Sequence, residues 1–195
     1  MKGWQPLIVT AILGTWLLQG CAPLMLGGVA TGATVAHDRR TVGSFVEDQS
    51  IEMKAATALN AEPELRRQGH INVTSFNMIV LVSGEAPSEA LRQRAGEVIG
   101  NVEKVRRVHN EVIVAAPSSV MSRSSDTLIT AKVKTALFRI KGMEDFDPTR
   151  VKVVTENGTV FLMGLLTRSE GDATARAASG VGGVQRVVKL FEYLD

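Results

Sequence analysis

Val151-Lys152-Val153-Val154-Thr155-Glu156-Asn157-Gly158-Thr159-Val160-Phe161-Leu162-Met163-Gly164 is the stretch that decides the fold. Asn157-Gly158 is a strong two-residue hairpin signal, because both residue types tolerate the left-handed backbone of a tight β-turn. The flanking runs read as strands, Val151–Thr155 and Thr159–Met163. The pattern occurs once before. Ile71, Val73, Asn77, Val80 and Gly84 correspond to Val151, Val153, Asn157, Val160 and Gly164. Upstream, Asp48, Ile51, Lys54 and Leu59 correspond to Asp126, Ile129, Lys132 and Leu137, and downstream Val102, Val105 and Val108 correspond to Val181, Val184 and Val187. The chain therefore carries an internal duplication.

Each copy opens with an amphipathic helix. Ile51, Ala55, Ala58 and Leu59 share one face, as do Ile129, Val133, Ala136, Leu137 and Ile140. Two strands follow; in the first copy Ile71–Thr74 turns through Ser75–Asn77 into Met78–Val82. A second helix runs from Ser88 to about Gly100, with Leu91, Ala95, Val98 and Ile99 inward. Its counterpart starts at Thr167 with Glu170 three residues on, a capping-box pattern. Its inward residues are small (Gly171, Ala175, Ala178), which predicts close packing on the sheet. The last strands are Val105–Val114 and Val184–Phe191. The class is α+β: α-β-β-α-β twice, each copy with two helices on one face of a three-stranded mixed sheet.

These features resemble the BON domain. They are the aspartates Asp48 and Asp126 at the helix starts, the strands ending in Gly84 and Gly164, and the closing segments Gly100–Val112 and Gly180–Phe191, with Gly180-Val181-Gly182-Gly183-Val184 matching the family's ending. The expected organisation is a signal peptide over 1–20, a lipidated Cys21 with a flexible tether over 21–45, BON domain 1 over 46–115, a linker over 116–122 and BON domain 2 over 123–195.

The N-terminus reads as an address. Lys2 precedes the apolar run Leu7–Leu18, which is shorter than the roughly 20 residues of a membrane span and fits a secretory signal. Leu18-Gln19-Gly20-Cys21 resembles the bacterial lipobox, which implies cleavage before Cys21 and its lipidation. Ala22, where an Asp would favour inner-membrane retention, implies the outer membrane of a Gram-negative bacterium, facing the periplasm. The whole resembles dual BON-domain outer-membrane lipoproteins. That resemblance implies a non-enzymatic envelope protein that binds phospholipid surfaces and supports outer-membrane integrity, with the lipid contact on the first helix of the second domain.

Composition is consistent with this and excludes other classes. The chain has 195 residues, 45% hydrophobic and 22% charged, with 22 Lys+Arg against 20 Asp+Glu and a net charge of +2. Such a balance lacks the basic footprint of a nucleic-acid binder. One cysteine excludes an internal disulfide framework and a Cys-based zinc site. His37, His70 and His109 are scattered, and His70 and His109 read as surface or packing residues. Glu144, Asp145 and Asp147 read as a solvated acidic loop, since their spacing fits no EF-hand. No G-x-S-x-G, H-E-x-x-H or C-x-x-C motif is present. The sequence therefore offers no catalytic residues, no metal site and no cofactor.

The two first helices differ on their outward faces. With Ile129 turned inward, Phe138 falls opposite, and Leu128, Ala131, Thr135 and Phe138 form a strip that core packing does not require. Lys132 and Arg139 flank it on one side, Lys134 and Lys141 on the other. The equivalent positions of the first copy are Ser50, Met53, Thr57 and Asn60, among Glu47, Asp48, Glu52, Glu62 and Glu64. An apolar strip rimmed by cations is the pattern of a helix lying on an anionic membrane. The competing expectation packs Leu128 and Phe138 on the other domain. The competing function is an adaptor to outer-membrane assembly machinery or cell-wall enzymes, for which a sheet edge is one mode of engaging a protein.

Overall fold

The computed structural model describes residues 38–195. The expected signal peptide, Cys21 and most of the tether lie outside the described residues. Helix α1, Val42–Ala61, starts within the stretch read as tether because the Thr41 side chain caps it, accepting from the Ser44 N–H. It turns Asp48, Ile51, Ala55 and Leu59 inward. Pro63 cannot continue that helix and instead begins the short α2, Pro63–Gln68.

Strands β1, His70–Phe76, and β2, Ile79–Ala86, pair antiparallel, with Ile71 opposite Gly84. Both are longer than the sequence suggests. The turn lies at Asn77-Met78, both left-handed at φ 51° and 62°. The second copy turns at Asn157-Gly158, with φ 49° and 69°, as the sequence indicates. Met78 takes a conformation that a side chain disfavours, but it packs against the core of its own half. Gly84 is a true requirement: at φ +113° a Cβ there would sit 1.9 Å from the His70 carbonyl oxygen.

Helix α3, Glu89–Gly100, is capped by Ser88. The expected single closing strand is instead two, β3, Arg107–Asn110, and β4, Ile113–Val114, both parallel to β2. Asn110 breaks it. Its side chain donates to the Arg92 carbonyl and accepts from the Val112 N–H, while the Arg92 guanidinium takes the Val112 carbonyl.

The second copy repeats the order. Helix α4, Val120–Leu137, is capped by Ser119 and so begins inside the stretch read as linker. A 3₁₀ turn, Pro148–Arg150, leads to β5, Lys152–Glu156, and β6, Thr159–Leu166, which are antiparallel. Helix α5, Arg168–Ser179, carries the expected capping box of Thr167 and Glu170. Strand β7, Arg186–Tyr193, runs unbroken and parallel to β6. A Cβ on Gly171 would come within 3.0 Å of the Phe191 ring, so α5 does lie close on the sheet.

Each sheet buries one face under its own helices. The first core gathers Ile51, Leu59, Val80, Val82, Leu91 and Ile99; the second gathers Ile129, Val133, Leu137, Val160, Leu162 and Leu166. A third cluster, Phe76, Leu81, Phe161 and Met163, with Val154, Val188 and Leu190 against it, joins the two sheets through their other faces. The result is helix, sheet, sheet, helix. Burial on both faces explains why the central strands β2 and β6 read as continuous apolar runs rather than alternating ones.

Polar bonds frame the contact between the halves. Lys152 donates to the Glu52 carboxylate at 2.8 Å, Asn72 to Glu156 at 2.8 Å, and Arg39 to Glu170 at 2.6 Å. Burial pushes the Glu170 carboxyl up, but the hydrogen bond and charge of Arg39 and the Thr167 N–H outweigh it. They hold that carboxyl below its ordinary value.

Candidate functional site

The rotation of α4 is set by its inner face. Ile129, Val133 and Leu137 are buried, and Thr130 donates to the Thr155 hydroxyl on β5 at 2.7 Å. Asp126 is buried as well. Its carboxylate accepts the Asn157 and Gly158 N–H groups, each at 2.9 Å, and so ties the helix to the hairpin turn. Asp48 does the same for the first copy, accepting from the Asn77 and Met78 N–H groups and the Ser75 hydroxyl. The repeated aspartates are hairpin clasps, set within helices that begin earlier at Val42 and Val120.

With α4 held this way, Leu128, Ala131, Lys132, Lys134, Thr135, Phe138, Arg139 and Lys141 are all exposed. Leu128 is 63% accessible and Phe138, at the helix C-cap, 66%. The alternative that they pack on the other domain does not match the fold, because the sheets make that contact. Thr135 donates its hydroxyl to the Ala131 carbonyl and Thr127 to the Arg123 carbonyl. These hydroxyls are satisfied within the helix, so covering this face desolvates few unmet polar groups. Met121, 81% accessible, extends the strip by two turns, whereas Arg123, about 200° round the helix from it, lines the cavity beside His70 and Glu156. Both precede the clasp aspartate; Met121 lies in the stretch read as linker, where Ser119 followed by Val120-Met121 was the available helix-start signal.

The BON domain model matches residues 47–116 and 125–195. The chain belongs to the BON-domain family. It is 38% identical over 98% of both chains to the outer membrane lipoprotein DolP of Haemophilus influenzae. It is 34% identical to the 21 kDa hemolysin of Actinobacillus pleuropneumoniae, covering 81% of this chain and 80% of that one. It is 30% identical to the osmotically-inducible protein Y of Escherichia coli K12, covering 81% and 78%. The chain is thus a dual BON-domain protein of the outer-membrane lipoprotein type.

The two BON domains present different charge environments on their first helices. On α1, Glu47 pairs with Lys104 at 2.6 Å, Lys54 with Glu103 at 2.9 Å and Glu52 with Lys152 at 2.8 Å. The bond from Glu47, then its charge, raises the Lys104 pKa; the bond and charge of Lys54 lower that of Glu103. Helix α1 also exposes Val42, Val46 and Met53, an apolar strip that the sequence comparison only partly caught. On and just beyond α4, Lys132, Lys134, Arg139 and Lys141 pair with no acid among the described residues.

Elsewhere, the acidic loop of BON domain 2 serves local structure. Asp147 caps the 3₁₀ turn, accepting from Thr149 through both its N–H and its hydroxyl. His70, isolated in sequence, is brought beside Glu85 and Glu156 at the contact between the domains. Among the described residues no helix is long and apolar enough to cross a membrane.

Proposed function

We propose that this protein is anchored through a lipidated Cys21 and applies α4 of its second BON domain to an anionic phospholipid surface, supporting outer-membrane integrity without catalysing a reaction. The observation that carries this reading is the exposed strip Met121, Leu128 and Phe138, rimmed by cations without acidic partners. Each such cation contributes about 1 kcal/mol at an anionic surface. A fully buried Leu or Phe side chain contributes about 1.5–3 kcal/mol, and partial insertion proportionately less. The lipid anchor keeps α4 close to membrane, so a contact that is weak in free solution becomes effective through high local concentration. Relatives named as an outer membrane lipoprotein and a hemolysin fit an envelope or membrane role.

The test is co-sedimentation of the chain from residue 22 onward with anionic and zwitterionic vesicles. Selective sedimentation with anionic vesicles, lost in Leu128→Glu/Phe138→Glu, is expected. A chain that ignores both vesicle types would transfer the strip to a protein partner and make this an adaptor.

A further inference from the structure

We propose that His70, Glu85 and Glu156 form a site for one divalent transition-metal ion of the zinc type, held between the two BON domains. His70 and Glu85 are direct cross-strand partners on β1 and β2. Strand alternation puts them on the same face as Leu81, the face turned to the other domain, while Ile71, Val80 and Val82 face the helices. Glu156 ends β5 in the second domain, in the same alternation as the interface residue Val154. One ligand atom from each of the three lies within 4.8 Å of the others.

A second observation points to a missing ligand. Glu85 is 1% accessible, and its Oε2 is buried without a hydrogen-bond partner. An unpaired buried carboxylate oxygen is costly. No Lys or Arg pairs with Glu85 or Glu156 among the described residues. Two buried carboxylates thus meet here with no Lys or Arg to balance them.

The surroundings suit a cation. Asn157 donates its side-chain N–H to Glu85 Oε1, and Asn72 donates to Glu156 Oε2 at 2.8 Å. Each carboxylate is therefore oriented by an amide with its second oxygen left over, as outer partners orient metal ligands. A cavity of about 290 Å³, lined by His70, Asn72, Thr130, Thr155 and Glu156 with Arg123 and Asp126 also in its wall, adjoins the cluster and gives access for an ion and its water. One imidazole and two carboxylates with a water complete the four positions zinc prefers. Calcium or magnesium would want more oxygen donors. Donors around zinc sit about 3.3 Å apart for bonds near 2 Å, so the cluster closes by on the order of 1 Å on binding. The site does not follow from the duplicated fold: at the other end of the repeat the corresponding positions are Arg150, Leu165 and Phe76.

The test uses the full chain in detergent, stripped with a chelator and titrated with Zn²⁺ against a chromogenic competitor, with thermal unfolding in parallel. Wild type is expected to bind one equivalent at least tenfold more tightly than His70→Ala or Glu156→Gln, and to unfold at higher temperature with zinc, whereas Ca²⁺ leaves it unchanged. Metal-stripped Glu156→Gln is expected to unfold no lower than stripped wild type, since it loses a like-charge neighbour. That separates lost binding from lost folding. X-ray absorption of the loaded protein should show nitrogen and oxygen donors without sulfur. Zinc binding no tighter in wild type than in Glu156→Gln, or no zinc-dependent stabilisation, would overturn the assignment.

Discussion

Helices α1 and α4 occupy equivalent places in two copies of one unit, and both expose apolar residues. Val42, Val46 and Met53 stand out on one, Met121, Leu128 and Phe138 on the other. What separates them is the fate of their charges. The charges of α1 are spent within the protein, on Lys104, Glu103 and Lys152. Those of α4 are left to whatever lies outside. Apolar exposure alone is ordinary; apolar exposure beside unspent cations is the pattern on which we propose an anionic surface as the partner of α4.

The largest effect that sharpens this comparison is on stability. Asp48 accepts from Ser75, Asn77 and Met78 and also holds Arg40 at 2.7 Å, whereas Asp126 accepts from Asn157 and Gly158. Asp48→Ala leaves Arg40 to Asp38, which holds it at 2.6 Å, but takes the charged acceptor from Ser75, Asn77 and Met78 and should cost about 3–5 kcal/mol. Asp126→Ala should cost about 2–3 kcal/mol, from two lost bonds to a charged acceptor. Chemical denaturation measures both; equal losses would mean that Ser75 and Arg40 add nothing to the first clasp.

Next comes membrane affinity. Lys132→Gln/Lys134→Gln should weaken binding to anionic vesicles by about 2 kcal/mol, roughly thirtyfold. The matched change on α1, Lys54→Gln, should leave it unaltered. Raising salt should weaken the wild type and flatten the difference between it and the double variant. An α1 change as damaging as the α4 pair would erase the distinction between the helices.

The smallest effect is on pH dependence, where two interface carboxylates should act with opposite sign. Glu170 titrates below its ordinary 4.5 in the fold, so its contribution is present above that value and lost as pH falls through its lower folded value. Glu156 titrates above 4.5, so its contribution is present below that value and lost as pH rises through its raised one. Stability profiles of Glu170→Gln and Glu156→Gln, measured with a chelator present, should therefore depart from wild type at opposite ends of the acidic range. Departure in the same direction would contradict these assignments.

Much of the fold was legible because its signals are local. Asn157-Gly158 announces its turn, Thr167 and Glu170 their cap, and Ile129, Val133 and Leu137 the inward face that leaves Leu128 and Phe138 outside. Other features were not. Ser119 and Thr41 are caps hidden among many similar residues, so both first helices start earlier than the repeat suggests. The break at Asn110 depends on Arg92, which reaches it from another element. The sheet-to-sheet contact was faintly written in the unalternating runs Ile79–Val82 and Val160–Met163. His70 and Glu85 become neighbours only once strand register is known, and Glu156 only once the domains meet.

Both tryptophans, Trp4 and Trp16, lie in the N-terminal address, so the chain from residue 22 onward carries none and a single introduced one reports cleanly. The most direct test of the central claim places a tryptophan in that form at Phe138 on α4 or at Met53 on α1 and mixes each with anionic vesicles containing brominated lipid. The account predicts a blue-shifted, bromine-quenched signal for Phe138→Trp and an unchanged one for Met53→Trp. A silent Phe138→Trp, or an equal response from both, would contradict it.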